Sequence, residues 1–190
     1  MDFGLAFSYV FKDPDWFKKI ALVAVIALIP IIGQMVLIGW GLEISHRVIH
    51  RDPVPLPDVD FGRDLSMGFK AFVVSLVYSL PIIVVSIPYS IIMAAVSDGA
   101  SSNGDFAIAV LSLCFTLFAF LYGLALAMVF PASMGLLASE GTISAALNLK
   151  DVFALIKAAP VAYLLVLLAE LIAGFISPLG AIACGIGVLL

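Results

Sequence analysis

Long apolar stretches separated by short polar punctuation make up this chain. Ile20 to Leu42 is a run of 23 residues, Leu65 to Val96 carries one lysine, and Phe106 to Leu137 carries no charge. Later, Pro160 to Ile176 gives 17 residues broken only by Glu170, and Ala181 to Leu190 is apolar to the last residue. About 20 helical residues cross a bilayer core, and the runs lack the two-residue alternation and ~10-residue spacing of a transmembrane β-barrel. The expected fold class is an all-α integral membrane protein, one membrane domain over 1–190. Two long transmembrane helices should be flanked by helical hairpins broken at proline and glycine.

Proline and glycine mark the breaks. Pro30-Ile31-Ile32-Gly33 interrupts the first run near its middle, so it reads either as one crossing or as two half-helices. In the segment 51–64, Pro53, Pro55 and Pro57 impose extended backbone on the one clear polar loop, and SDGASSNGD at 97–105 is a turn. Ser177-Pro178-Leu179-Gly180 should break the last run. Two stretches read as interfacial amphipathic helices. Residues 2–11 place Phe3, Phe7 and Phe11 on one face, and residues 142–157 gather Ile143, Leu147, Val152 and Ile156 mainly on one side. Between them, Asp13 and Pro14 are suited to opening a helix, with Trp16 as an interfacial anchor.

Charge turns this string into a topology. Lysine and arginine cluster at 12–19, 47–70 and 150–157, whereas 97–105 has none, so the first three should be cytoplasmic and the last outside. Both ends of Ile20–Leu42 then lie on one side, which a straight crossing forbids and a re-entrant hairpin turning at Pro30–Gly33 allows. The order of amphipathic helix, apolar run, Pro/Gly break and apolar run recurs after residue 142, a pattern that in transporters points to internal repeats with a binding site near the midplane. A small transporter or channel whose two broken segments meet near Glu170 is thus the alternative to a non-enzymatic component that packs helices with a partner, itself or lipid.

Composition agrees and narrows the functional classes. Hydrophobic residues make up 64% and charged residues 12%, with mean hydropathy +1.23, against roughly 45–50% apolar residues in soluble domains. The lipid bilayer is the obvious partner, and a net charge of −4 with no basic block argues against nucleic acid. Cys114 and Cys184 lie in apolar runs without metal-site spacing and read as buried packing groups. Lys18 and Lys19 before Ile20–Ile29 imitate a signal peptide, but no A-x-A site follows and the segment should be retained. A free carboxyl terminus in lipid is costly, so the natural chain is expected to continue past Leu190.

Few residues could carry chemistry. Glu170 falls eleven residues into its run, where an ionisable group needs a partner, water or protonation; it is either a functional group or a helix-gluing hydrogen bonder. Gln34 follows the first break and is suited to satisfying backbone groups freed by Pro30. Glu43, His46 and His50, at i, i+3 and i+7, share a helical face and could hold a metal, although Glu43 can instead pair with Arg47. Asp58, Asp60 and Asp64 beside Arg63 could likewise form a site, but loop solubility and capping by Asp60 account for them at lower cost. No nucleophile–His–acid arrangement, phosphate-cradling loop or H-E-x-x-H is present, so no enzyme and no cofactor is expected. Small residues at Gly123/Ala127, Ala181/Gly185 and 180–187 would let helices approach closely, within the chain, in a homo-oligomer or against another membrane protein.

FSYVFKDPDWFKK at 7–19, IPIIG at 29–33, GWGLEISHRVI at 39–49 and LPDVDFGRDLSMGFK at 56–70, followed by Tyr78 and Pro81, resemble a prokaryotic membrane family known as domain of unknown function 4013. The resemblance implies a compact multi-helix membrane protein with a polar tail beyond its final apolar segment. It implies no activity and no site residue.

Overall fold

The computed structural model describes residues 11, 13–52, 56–97 and 102–184; the expected helix over 2–11 lies outside the described residues apart from Phe11. Among the described residues seven helices follow in order: α1 Trp16–Ala27, α2 Ile32–His50, α3 Phe61–Ser97, α4 Ser102–Glu140, α5 Ile143–Ala146, α6 Leu149–Ala158 and α7 Pro160–Cys184. No strand occurs among the described residues. The fold is all-α, and α3 and α4 each contain a stretch long and apolar enough to cross a membrane, Phe61–Val96 and Phe106–Glu140. Pro81, Pro88 and Pro131 lie inside these helices without ending them.

Contacts divide the chain into two compact units, Met1–Val74 with Met128–Leu190, and Ser75–Ala127. The first unit is organised on the hairpin of α1 and α2. Pro30 and Ile31 turn the chain, Ile31 taking a left-handed φ of 66° that a β-branched side chain rarely adopts. The helices then pack antiparallel: Trp16, Ile20 and Val23 of α1 meet Leu37, Trp40 and Ile44 of α2 in a core completed by Leu56 and Val59. Close backbone contact at the turn needs glycine, since a Cβ on Gly33 would lie 2.0 Å from the Ile26 carbonyl oxygen. At the turn Leu28, Ile29, Ile31 and Ile32 are all exposed, so the hairpin ends in an apolar tip.

Glycine also sets the crossing of α2 and α3. A Cβ on Gly39 would sit 1.8 Å from the Asp64 carbonyl oxygen, and one on Gly68 1.8 Å from that of Met35. The end of α4 is fastened to α2 where His46 Nδ1 meets the Ala138 carbonyl oxygen at 2.8 Å, and to α5 where Ser133, fully buried, donates to the Ala146 carbonyl oxygen at 2.6 Å; Leu136, Leu137 and Ala138 are buried. In the second unit, Tyr89 stacks on Phe115 with ring centroids 4.0 Å apart, and the Tyr122 hydroxyl donates to the Tyr78 carbonyl oxygen. Cys114, expected to be buried, is exposed there, because the unit is little more than two helices and most of their side chains face outward.

Three other expectations change. Asp13 and Pro14 do not open α1, which starts at Trp16; the Asp13 carboxylate accepts from the Asp15 N–H at 2.9 Å and turns to Lys19. The stretch 142–157 is two helices, because Asn148 leaves helical geometry and caps α6 by accepting from the Lys150 N–H. The second break, expected at Pro178–Gly180, is displaced: α7 runs unbroken to Cys184, and the sharp bend, 97°, separates α6 from α7. Proline disfavours helical backbone at the residue before it, and Ala159 is extended in φ at −141°. Within an apolar run, by contrast, leaving the helix would strip several carbonyls of partners that lipid cannot replace. The late segment therefore does not repeat the early hairpin.

Candidate functional site

Polar side chains in the first unit converge on the base of the α1–α2 hairpin. Lys19 of α1 donates to Asp13 at 2.8 Å and to the Leu56 carbonyl oxygen at 2.8 Å, with the exposed Asp58 at 3.6 Å. Its side chain is 14% exposed and that of Asp13 2%, so the pair is shielded from water. The hydrogen bond from Lys19 holds the Asp13 carboxyl below its ordinary value of 3.8, burial working against it and the Asp15 N–H with it. The same bond raises the Lys19 ammonium above 10.5, again against burial, with the charges of Asp13 and Asp58 adding to it. Beside this pair Trp40 donates its indole N–H to the Pro57 carbonyl oxygen at 3.1 Å. Two long-range bonds thus pin the loop 56–60 onto the hairpin.

A second cluster starts α3. Asp60 caps the helix by accepting from the Arg63 N–H at 3.1 Å, as its position before α3 suggested, and its own N–H donates to Asp64 at 3.0 Å. Asp64 has no exposed surface and its other oxygen accepts two bonds from Arg63, at 2.9 and 2.8 Å. Such a carboxylate needs this many donors, since an unpaired buried charge would be expelled or neutralised. Arg63 also reaches the Asp58 carbonyl oxygen and lies 3.7 Å from Glu43, which Arg47 approaches at 3.4 Å. Two further donors, His46 Nδ1 and Lys70 Nζ, meet the carbonyl oxygens of Ala138 and Gly141 at 2.8 Å each, at the C-terminal end of α4 where helix carbonyls lack partners.

The structure does not bring Glu43, His46 and His50 together on one point. Glu43 turns to arginines, while His46, whose ring centroid lies 4.2 Å from that of His50, bonds to α4. Among the described residues no three His, Cys, Asp or Glu side chains could share a metal ion. Gln34 donates to the Ala27 carbonyl oxygen at 2.9 Å, which the end of α1 leaves without a helical partner. Glu170 is exposed on α7 and has no hydrogen-bond or ion-pair partner among the described residues.

Sequence reasoning passed over Lys19, Asp13, Trp40 and the Arg63–Asp64 pair as members of one network. The available signal was scarcity: in a chain with 12% charged residues, charges flanking apolar runs need partners. The four segments that carry the family resemblance all contribute to this network or to the helix contacts beneath it, through Asp13 and Lys19, Gly33, Trp40 and Glu43, and Arg63 and Gly68.

No curated protein and no solved structure matches the chain. The sequence profile of the family described as "Protein of unknown function (DUF4013)" matches residues 22–186, nearly the whole chain and all but the first of the network's segments. The chain belongs to that family of unknown function.

Proposed function

We propose that this protein is a non-enzymatic membrane component that acts by packing its helices against another membrane-spanning helix, a second copy being the simplest such partner. One observation carries the reading. The polar side chains at the base of the hairpin are directed at one another and at backbone carbonyls, whereas the small-residue face of α4 is left open: a Cβ at Gly123 would meet nothing within 4 Å. In lipid, close approach over small residues is a principal source of helix association.

In this reading the segments 12–19, 47–70 and 150–157 face the cytoplasm and 97–105 the outside. The α1–α2 hairpin enters one leaflet from the cytoplasmic side. Its apolar arms suit that depth, since the 12 residues of α1 rise roughly 18 Å and the apolar part of α2, Ile32 to Leu42, roughly 16 Å against a hydrocarbon core of ~30 Å.

A photoreactive residue in place of Leu124, exposed beside Gly123, tests the proposal in the native membrane. A protein adduct lost in a Gly123→Leu background is the expected result. Adducts to lipid alone, or a protein adduct indifferent to Gly123→Leu, would refute it.

A further inference from the structure

The bend between α6 and α7 encloses an open groove of about 370 Å3, lined by Pro131 of α4, Leu155 and Ala158 of α6, Ala159, and Ala162, Tyr163 and Val166 of α7. That volume is in the range of small-molecule sites, ~300–1,000 Å3. All but the Tyr163 hydroxyl is apolar at the side-chain level.

Helical register extends this wall. At 3.6 residues per turn, Glu170 follows Val166 by four residues and Tyr163 by seven, so all three share one face of α7. Glu170 is also ten residues beyond Pro160, roughly 15 Å along the axis and about half of a ~30 Å hydrocarbon core. Among the described residues it has no cation near it. A carboxylate at that depth calls for a counter-charge, and the lysines of α6 do not supply it. Lys150 and Lys157 lie seven residues apart on one face of that helix, roughly 80–160° around from Leu155 and Ala158 on the groove side.

We infer that the elbow of α6 and α7 is a binding site for a lipophilic organic cation, its apolar body in the groove against the Tyr163 ring and its positive charge directed to Glu170. Three features select that chemistry. The groove takes apolar groups, an aromatic face attracts a cation, and the unpaired carboxylate one turn deeper distinguishes a cation from a neutral molecule of the same shape. A lipid acyl chain would fit the groove but leave Glu170 as it is. The inference goes beyond helix association and does not depend on it.

Radiolabelled tetraphenylphosphonium tests it, with the full chain in lipid nanodiscs and empty nanodiscs subtracted for partitioning. Saturable binding is expected, displaced by excess unlabelled cation. Glu170→Gln, which keeps size and hydrogen bonding, should weaken it at least tenfold, and Ala162→Trp, which fills the groove, should do likewise. No saturable binding above empty discs overturns the proposal. So does a Glu170→Gln variant that binds like the unaltered chain, whatever Ala162→Trp does, because the groove would then not read charge.

Discussion

Gly39 and Gly68 cross backbone against backbone, each occupying space that the other's helix would deny to a single methyl group. The carbonyl oxygens facing them, of Asp64 and Met35, would lie 1.8 Å from an added Cβ. Neither can step aside without moving its helix. Gly39→Ala or Gly68→Ala should therefore destabilise the protein by about 1–3 kcal/mol or more, as overpacking of fixed cores does. Gly41, on the same helix with nothing within 4 Å of its Cβ position, is the control. Gly41→Ala should be neutral or stabilising by ~0.5–1 kcal/mol, because alanine has less backbone freedom to lose. Denaturation in detergent micelles reads all three, and equal destabilisation by Gly41→Ala would contradict the crossing.

The shielded pair of Asp13 and Lys19 makes a pH prediction whose sign follows from its two shifts. The Asp13 carboxyl titrates lower in the folded chain than in the unfolded one, so its contribution is present above 3.8 and lost as pH falls through the folded value. The Lys19 ammonium titrates higher when folded, so its contribution is present below 10.5 and lost as pH rises through the folded value. Lys19→Met should lower the unfolding temperature most between these limits, progressively less as pH falls from 3.8, and least in acid below the folded value of Asp13. A loss that stayed constant from pH 3 to pH 7 would show that Lys19 acts by packing alone.

At the end of α4, His46 and Lys70 satisfy two carbonyl oxygens that the helix itself leaves bare. Lys70→Met should cost about 1–3 kcal/mol, the range for a charged hydrogen bond whose acceptor is then left in shielded surroundings. Its structural signature is local. Hydrogen exchange should accelerate at amides around 138–146 while those of the α1–α2 hairpin keep their protection; uniform acceleration across both would count against a local clamp.

How much of this could be read beforehand varies by element, for physical reasons. The hairpin turn was legible because Pro30 and Gly33 are the residue types that a turn between close helices requires, and Gln34 because an amide beside such a break has few other uses. Pro178 carried the same signal and misled, since a proline inside an apolar run removes one donor without offering the other carbonyls a substitute for the helix. The network was illegible for a different reason. Lys19 bonds the Leu56 carbonyl oxygen and Trp40 that of Pro57, across 37 and 17 residues, and a backbone acceptor leaves no trace in side-chain identity. Gly39 and Gly68 stood in plain view, but which glycines meet depends on where the loop after Arg51 returns the chain.

Membrane sidedness can be read with single cysteines in a chain whose own Cys114 and Cys184 have been replaced. A membrane-impermeant maleimide should label Asp58→Cys, a position 96% exposed at its side chain, only from the cytoplasmic face. Asn103→Cys should be labelled only from outside. Ile31→Cys, at the hairpin tip, should resist the reagent from both faces; labelling of Ile31→Cys from outside would mean that the first apolar run crosses the membrane.

The long-range bonds of the first unit also fall into an order. Lys19 to Leu56, Trp40 to Pro57 and the Gly39–Gly68 crossing use nothing beyond residue 68. The clamps from His46 to Ala138 and from Lys70 to Gly141 span 92 and 71 residues. During synthesis the first set can close soon after Gly68 has left the ribosome, while the second waits for both long helices to be inserted. The amino-terminal hairpin is then a finished template that receives the returning end of α4, and a ribosome stalled between residues 70 and 138 would display it already assembled.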